Sequence, residues 1–197
     1  MGSVLGRWGH EELRRLARRT DDPEAWDRYW LQRLWAAFEW GTEEERFDVV
    51  DHCRERFDDL PWWGNLALLL AAMGKHDEAT RAFDDAMRLV EAGADDAVRL
   101  DVVSNLVEAA TLLGDAGRVV AAARHLHGPA GGLVVVGDGV VCKGSVDRYL
   151  GLGHAALGQW ADAAECFRSA EAAHRSMGAE PLLARTLRQA SGALVAA

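Results

Sequence analysis

Residues 71–87, AAMGKHDEATRAFDDAM, decide the fold because the same pattern returns further along the chain as residues 155–171, AALGQWADAAECFRSAE. In both stretches a glycine follows a run of helix-forming residues. Alanine, phenylalanine and alanine then follow that glycine at the same three spacings, as Ala79, Phe83 and Ala86 in one copy and as Ala163, Phe167 and Ala170 in the other. Small residues at these spacings let two helices approach closely, and the phenylalanine fills the groove between them. The pattern predicts a helix ended by glycine, a short turn and a second amphipathic helix.

Two looser copies of the pattern extend it along the chain. They are residues 38–53, FEWGTEEERFDVVDHC, and residues 111–126, TLLGDAGRVVAAARHL. The first copy has Cys53 where the two clear copies have Ala86 and Ala170, which gives Cys53 the role of a small buried packing residue, and the second has Ala123 in place of phenylalanine. The four glycines, Gly41, Gly74, Gly114 and Gly158, are 33, 40 and 44 residues apart. A recurrent unit of this length predicts an array of helix pairs.

The sequence between these units also favours helix. Asp22 is a plausible N-cap, Pro23 occupies the first helical position and Gly41 follows the end of a helix with a broad apolar stripe. Pro61 and Pro181 mark the starts of two further helices. Since composition does not shift along the chain, we expect a single domain over residues 1–197, with a basic N-terminal helix at 9–19 and a Gly/Val-rich connector at 129–145.

These units resemble the tetratricopeptide repeat (TPR), whose helix pairs carry small residues and an aromatic at this spacing. The longer units look like the C-terminal arrays of LuxR-like and STAND ATP-dependent regulators, and the resemblance covers about residues 23 to 195. It implies an all-α fold, an α-solenoid of about four TPR-like helix pairs with extra terminal helices. The ATPase, cyclase and DNA-binding modules of those regulators have no counterpart in this sequence.

Composition and charge argue against a nucleic-acid-binding or membrane-spanning protein. The net charge of −9 argues against nucleic acid as the main partner, because phosphate binding needs a basic surface. The N-terminus lacks an apolar segment of signal-peptide length, and the longest apolar run, residues 66–73, is too short to cross a bilayer. The three scattered cysteines suit buried thiols in a reducing compartment. We therefore expect a cytoplasmic protein without a membrane partner.

The glycine-rich stretch GGLVVVGDGVVCKGS, residues 131–145, invites comparison with phosphate-binding loops. It does not match the P-loop, because Lys143 precedes Gly144 instead of following it. Nor does it match the dinucleotide fingerprint, since Cys142 stands where the third glycine belongs. Valines on both sides of Gly137-Asp138-Gly139 are compatible with a short hairpin-like turn. We expect a connector between repeats whose valines cover an apolar seam.

Motifs for catalysis and metal binding are incomplete. His10-Glu11 begins like the zinc motif H-E-x-x-H, but Arg14 occupies the second ligand position. His125 and His127 are two residues apart and would point to different sides of a helix. Paired carboxylates such as Asp84-Asp85 are most simply solvated surface. We predict no catalytic residues, no metal and no cofactor, although an enzymatic role stays open.

The resemblance implies a binding surface on the first helix of each pair, which lines the concave side of a TPR array. Counting back from the four glycines selects polar residues at matching positions on these helices. The predicted partner-binding residues are Arg28, Gln32, Asn65, Asn105, Glu108, Arg148 and Tyr149. The alternative is that they form the solvated side of each helix. The lysines with which the family clamps a C-terminal carboxylate have no counterparts here.

Tryptophans are concentrated in the N-terminal third, where seven of the eight lie within the first 63 residues. The simple interpretation is that they form the core of the first helix pairs. The alternative is that some line an apolar pocket. The candidates for that pocket are Trp30, Trp35, Trp62 and Trp63.

Three functions follow as expectations. The first is a non-catalytic scaffold or adaptor that binds a protein or peptide in its concave groove, in bacterial regulation. The second is a small-molecule-binding protein or enzyme with an apolar Trp-rich pocket built on the repeat scaffold. The third is the sensor array of a larger ATP-dependent regulator. The apolar C-terminal segment, residues 181–197, also suggests a homodimer through the last helix.

Overall fold

A computed structural model describes residues 12, 14–20, 22–55, 60–93, 96–126, 131–136 and 139–195. A helical segment at residues 14–20 comes first and covers part of the predicted basic helix, of which residues 9–11 and 13 lie outside the described residues. The helices that follow are α1 (Pro23–Trp40), α2 (Glu43–Glu55), α3 (Leu60–Ala72), α4 (His76–Glu91), α5 (Asp96–Leu112), α6 (Ala116–Ala123), α7 (Val146–Ala156), α8 (Trp160–Ser176) and α9 (Glu180–Val195). Two strands, β1 (Leu133–Val136) and β2 (Val141–Ser145), lie between α6 and α7. The described chain is thus mostly helical, as predicted.

The repeated glycines end helices in the left-handed conformation. Gly74, Gly114 and Gly158 have φ values of 70°, 69° and 71°, which residues with a side chain rarely adopt. At the first of these turns the amide of Gly74 bonds the carbonyl of Ala71, and that of Lys75 bonds the carbonyl of Leu70. This pair of bonds is the Schellman motif, which satisfies the last carbonyls of α3. Gly41 differs, because its backbone is extended.

The helices pack in a regular pattern. Each helix from α1 onward contacts the next one in the chain, including α6 and α7, between which the hairpin is inserted. In addition α3 packs on α5, α5 on α7, and α7 on α9, so these four helices are neighbours in a row. Helices α4, α6 and α8 pack against that row. Within the described residues, no helix has the length and apolar composition needed to cross a membrane.

The residues of the repeated pattern are buried, as predicted. Ala79, Phe83, Ala163 and Phe167 are at most 4 % exposed, and Cys53 is equally buried. A Cβ on Gly151 of α7 would lie 3.0 Å from the ring of Phe167, so the glycine allows the close approach of α7 and α8. The burial of Cys53 raises the pKa of its thiol to about 12.

The glycine-rich stretch forms an antiparallel hairpin. Val136 pairs with Val141 and Val134 with Gly144, with an irregularity after Val134. Val134 and Val136 are buried, whereas Leu133 and Val135 are 40 % and 49 % exposed. Val134 belongs to the hydrophobic core, and that the valines cover a seam between repeats stays a prediction. Gly137 and Asp138 lie outside the described residues. The hairpin contacts α1, α5, α7 and α8.

Candidate functional site

The predicted polar positions on α3 and α5 face each other. The amide nitrogen of Asn105 donates a hydrogen bond of 2.8 Å to the amide oxygen of Asn65. Both side chains are buried, with exposures of 0 % and 1 %. The two positions at matching distances before Gly74 and Gly114 therefore lie on facing sides of α3 and α5. We call this side of the helices the inner face.

The inner face is not an open groove, however, and the predicted exposure of its residues needs correction. Five of the seven predicted partner-binding residues are buried, namely Asn65, Asn105, Glu108, Arg148 and Tyr149. Neither an open concave surface nor a solvated helix side describes these five, because the chain covers them with its own residues from the hairpin and α9. Arg28 is exposed and pairs with Glu24, and Gln32 is half-buried.

The centre of the inner face is a buried pair of charges from α5 and α7. Arg148 Nη1 donates to Glu108 Oε1 at 3.1 Å, and Arg148 Nη2 lies 3.3 Å from Oε2. Burial alone would raise the pKa of Glu108, but the guanidinium groups of Arg148 and Arg185 outweigh it and lower that pKa. Burial likewise opposes the charge of Arg148, yet the Glu108 carboxylate prevails and raises the pKa of the guanidinium. Both groups are therefore charged at neutral pH.

Side chains of helix α9 bind to the Glu108–Arg148 pair and cover the inner face. Gln189 accepts a hydrogen bond of 2.9 Å from Arg148 and donates one of 3.2 Å to Glu108. Arg185 lies 3.6 Å from Glu108 and also forms an ion pair with Glu39 of α1. Glu39 and Arg185 are 146 residues apart in the chain, so this ion pair joins its first and last full helices.

Lys143 of the hairpin lies against the same face. Its side chain is buried, and Nζ donates to Asp101 Oδ1 at 2.7 Å, to the Asp101 carbonyl at 2.9 Å and to Ser104 Oγ at 2.6 Å. Nζ also lies 5.3 Å from the centre of the Trp35 ring, a cation–π distance. Burial lowers the pKa of Lys143, with the carboxylate of Asp101 acting in the opposite direction. All three donors of the ammonium group are thus engaged.

The carbonyl of Lys143 connects the hairpin to α7. It accepts hydrogen bonds from Arg148 Nη2 at 3.4 Å and from the Tyr149 hydroxyl at 3.3 Å. Burial raises the pKa of Tyr149 to about 12, so the phenol stays a neutral donor. Arg148 and Tyr149, predicted to contact a partner, contact the chain's own hairpin instead.

The four candidate tryptophans differ in their surroundings. Trp30 stacks on His52 with ring centres 4.2 Å apart, and Trp62 packs edge-on against the same imidazole at 4.9 Å. Trp62 is buried in the core and Trp63 is half-buried beside it. Trp35 lines a cavity. Trp62 thus belongs to the core, and Trp35 lies in the wall of a cavity.

That cavity lies between α1, the hairpin and the start of α9, and its volume is about 370 Å³. Its lining is mainly apolar and comprises Gln32, Trp35, Ala36, Glu39, Val140, Val141, Cys142, Lys143, Ala179, Pro181 and Leu182. A concave, mainly apolar space of this size with a few polar groups is typical of small-ligand sites. We call it the hairpin pocket.

The polar groups of the hairpin pocket differ in their availability. The Gln32 amide forms no hydrogen bond with any residue that the structure describes, so it can donate to and accept from a ligand. Glu39 is paired with Arg185 through one oxygen, and burial raises the pKa of its carboxyl. Cys142 is an exposed thiol in the pocket wall. No group of three or more metal-ligating side chains occurs among the described residues.

Sequence reasoning missed several residues of this site, namely Glu39, Asp101, Lys143, Arg185 and Gln189. One signal was present, because Lys143 is the only cationic residue of the glycine- and valine-rich stretch 131–145. A lone cation among glycines and valines points to burial against an opposite charge. The partner of that charge, Asp101, lies 42 residues away and carries no comparable signal.

Leu187 of the last helix bears on the predicted self-association. Leu187 is 43 % exposed, whereas Arg185 and Thr186 beside it are buried. A homodimer through α9 stays a prediction.

Comparison with known proteins gave no family assignment, since neither protein-family models nor curated proteins nor solved structures produced a significant match to this chain.

Proposed function

We propose that this chain is a TPR-like helical-repeat module, an α-solenoid, that binds a small, mainly apolar molecule in the hairpin pocket. The observation that carries the proposal is the cavity of about 370 Å³, with apolar walls and the Gln32 amide in its lining. The burial of five predicted groove residues weakens the case for a peptide along the inner face. A cytoplasmic sensor of bacterial regulators is the role that agrees best with the resemblance of its repeats.

Binding is a better description than catalysis for this pocket. The amine of Lys143 would be the obvious nucleophile or base, but its three hydrogens are held by Asp101 and Ser104. Its charge is also needed where it is, because Asp101 is buried beside it. The remaining polar groups are suited to orienting a ligand.

An uncharged dye tests the proposal directly. We expect N-phenyl-1-naphthylamine to bind the wild-type protein with saturable fluorescence at one site, since it is apolar and small enough for the pocket. Ala36→Phe should abolish this signal, because Ala36 is in the pocket wall and a phenyl ring there would fill the space. Ala161→Phe, at an exposed position of α8, is the matched control and should leave the titration unchanged.

Native mass spectrometry of the protein purified from its source would identify the physiological ligand by its added mass. Equal dye binding by the Ala36→Phe and wild-type proteins would refute the pocket as the binding site. So would an absence of saturable binding by the wild type.

A protein partner is the second candidate, favoured by the outer side of β1. Leu133 and Val135 are 40 % and 49 % exposed side by side on this strand. A partner docked there should be lost from co-purification with Leu133→Lys/Val135→Lys and kept with Ala36→Phe. If the partner is instead lost with Ala36→Phe and kept with the double lysine variant, the result favours the hairpin pocket as the binding site.

A further inference from the structure

His174 of α8 lies between the hairpin and α9 and bonds to both. The side chain is fully buried. Its Nε2 accepts a hydrogen bond of 2.9 Å from the backbone N–H of Ser145, at the end of β2. Its Nδ1 lies 3.0 Å from the hydroxyl oxygen of Thr186 in α9.

These partners determine the protonation state of the imidazole. A backbone N–H only donates, so Nε2 must carry no proton. The Thr186 hydroxyl donates to the carbonyl of Leu182 at 3.0 Å, which leaves its oxygen to accept from Nδ1–H. The arrangement therefore requires the neutral tautomer with the proton on Nδ1.

The hairpin approaches His174 too closely to tolerate a side chain at the neighbouring position. Gly144 has φ of 92°, and a Cβ placed on it would lie 2.5 Å from His174 Nε2. The same strand contributes Val141, Cys142 and Lys143 to the hairpin pocket, and α9 contributes Pro181 and Leu182. His174 thus joins two walls of the pocket without lining it.

We propose that neutral His174 is the positioning residue of the hairpin pocket, and that protonation of its imidazole releases the β2 wall and abolishes ligand binding. This inference rests on the proposed function for its ligand. The release of the hairpin on protonation of His174 can be tested without any ligand.

The chemistry of the release is a conflict between donors. A proton on Nε2 would point at the N–H of Ser145, so the hydrogen bond would be replaced by repulsion between two donors in a buried site. Burial lowers the pKa of His174, and the positive charge of Arg148 lowers it further. The neutral contact is therefore fully present above the ordinary histidine pKa of 6.5 and is lost as the pH falls through the lower pKa of the folded protein.

Several other charged groups on the elements around His174 have partners of their own. Asp147 of α7 accepts from Ser169 and Gly131, Lys143 of β2 is paired with Asp101, and Arg185 of α9 is paired with Glu39. On α8 itself Glu171 is paired with Arg175. Glu39, whose raised pKa also lies on the acidic side, lines the pocket, so the test must separate its titration from that of His174.

A bimane fluorophore on Cys142 reports the position of the hairpin, because Trp35 across the pocket quenches it at contact. A Cys166→Ser background confines labelling to Cys142, since Cys53 is buried. We expect quenching at pH 7.5 and a rise in emission as the pH falls below 6.5.

Two variants serve as controls for this transition. Trp35→Phe should give high emission at every pH. His76→Gln, which removes an exposed histidine, should leave the transition unchanged.

His174→Gln separates positioning from a merely structural role. The glutamine oxygen can accept from Ser145 N–H but does not titrate, so the variant should stay quenched from pH 7.5 to 5.0. If the His174→Gln protein keeps the wild-type transition, His174 is not the responsible group and the inference is wrong. In the wild type, ¹⁵N spectra of the imidazole should show the Nδ1–H tautomer at neutral pH, and the opposite tautomer would also overturn the inference.

Dye titrations complete the test. The affinity of wild type for N-phenyl-1-naphthylamine should fall about tenfold for each pH unit below the pKa of His174, and that of His174→Gln should change little. Dye binding with a flat pH profile in the wild type would refute the His174 inference and leave the proposed function intact. A wild type that binds no dye but shows the bimane transition would refute the proposed function alone.

Discussion

The seam between the paired helices and the inner face of the same helices are built from opposite kinds of side chain. The seam contains alanine and phenylalanine, such as Ala79 with Phe83 and Ala163 with Phe167, all buried. The inner face contains charges and amides centred on Glu108 and Arg148, with Lys143 of the hairpin against it, and these are equally buried.

The difference lies in how each region is stabilised. The seam is stabilised by the removal of apolar surface from water, and any well-packed apolar side chain contributes to this. The inner face depends on pairing, because an isolated buried charge is costly and only its partner and hydrogen bonds offset that cost. Substitution of one residue therefore has different consequences in the two regions.

The largest expected effect is at the Lys143–Asp101 pair. Lys143→Met should lower the free energy of unfolding by about 3–5 kcal/mol, because it leaves the Asp101 carboxylate buried without its cation. Asp101→Leu/Lys143→Met should be close to the wild type, since both charges are gone. Urea denaturation of the two single variants and the double variant measures the coupling. Additive losses in the double variant would show that packing, and not pairing, dominates here.

Close packing of the seam is tested at Gly151. Gly151→Ala should destabilise by about 1–3 kcal/mol, because the new methyl group meets the buried ring of Phe167 at 3.0 Å. Gly192→Ala in α9 is the control, since a Cβ there has nothing within 4 Å, and it should stabilise by about 0.5–1 kcal/mol. Thermal or urea unfolding compares them. A stabilised Gly151→Ala protein would contradict the close approach of α7 and α8.

The amide pair of the inner face should show the same contrast on a smaller scale. Asn65→Leu should cost about 1–3 kcal/mol, because the Asn105 amide then loses its partner in a buried site. Asn65→Leu/Asn105→Leu should be neutral or stabilising, since Asn65 Nδ2 and Asn105 Oδ1 already have no hydrogen-bond partner among the described residues. Chemical denaturation gives the free energy of unfolding of the single and double variants. A double variant less stable than either single variant would count against this interpretation.

The smallest expected effect is at the start of α6, outside both regions. Asp115 Oδ1 accepts the N–H of Arg118 at 2.9 Å as an N-cap, and this bond, with the Arg118 side chain, lowers the pKa of Asp115. Asp115→Ala should cost about 1 kcal/mol at neutral pH. The difference from wild type should be present above pH 3.8 and disappear as the pH falls through the lowered pKa. Unfolding measured against pH tests this, and a constant difference down to the acid limit would exclude the ionised cap as its cause.

Much of the helical framework could be predicted because its signals are local. Gly74, Gly114 and Gly158 end helices in the conformation that glycine tolerates best. The spacing from these glycines also selected Asn65 and Asn105, which do face each other. The exposure of these positions could not be predicted in the same way. It depends on Lys143 reaching Asp101 across 42 residues and on Arg185 reaching Glu39 across 146.

The sequence by itself determined the helices, their glycine-ended turns and the burial of the alanines and phenylalanines between them, because each follows from the chemistry of residues close together in the chain. Only the tertiary structure decided that the hairpin covers the inner face, that a pocket remains beside Trp35, and that His174 holds its walls together. Burial and pairing are properties of a position in space, and the groups that create them here come from both ends of the molecule.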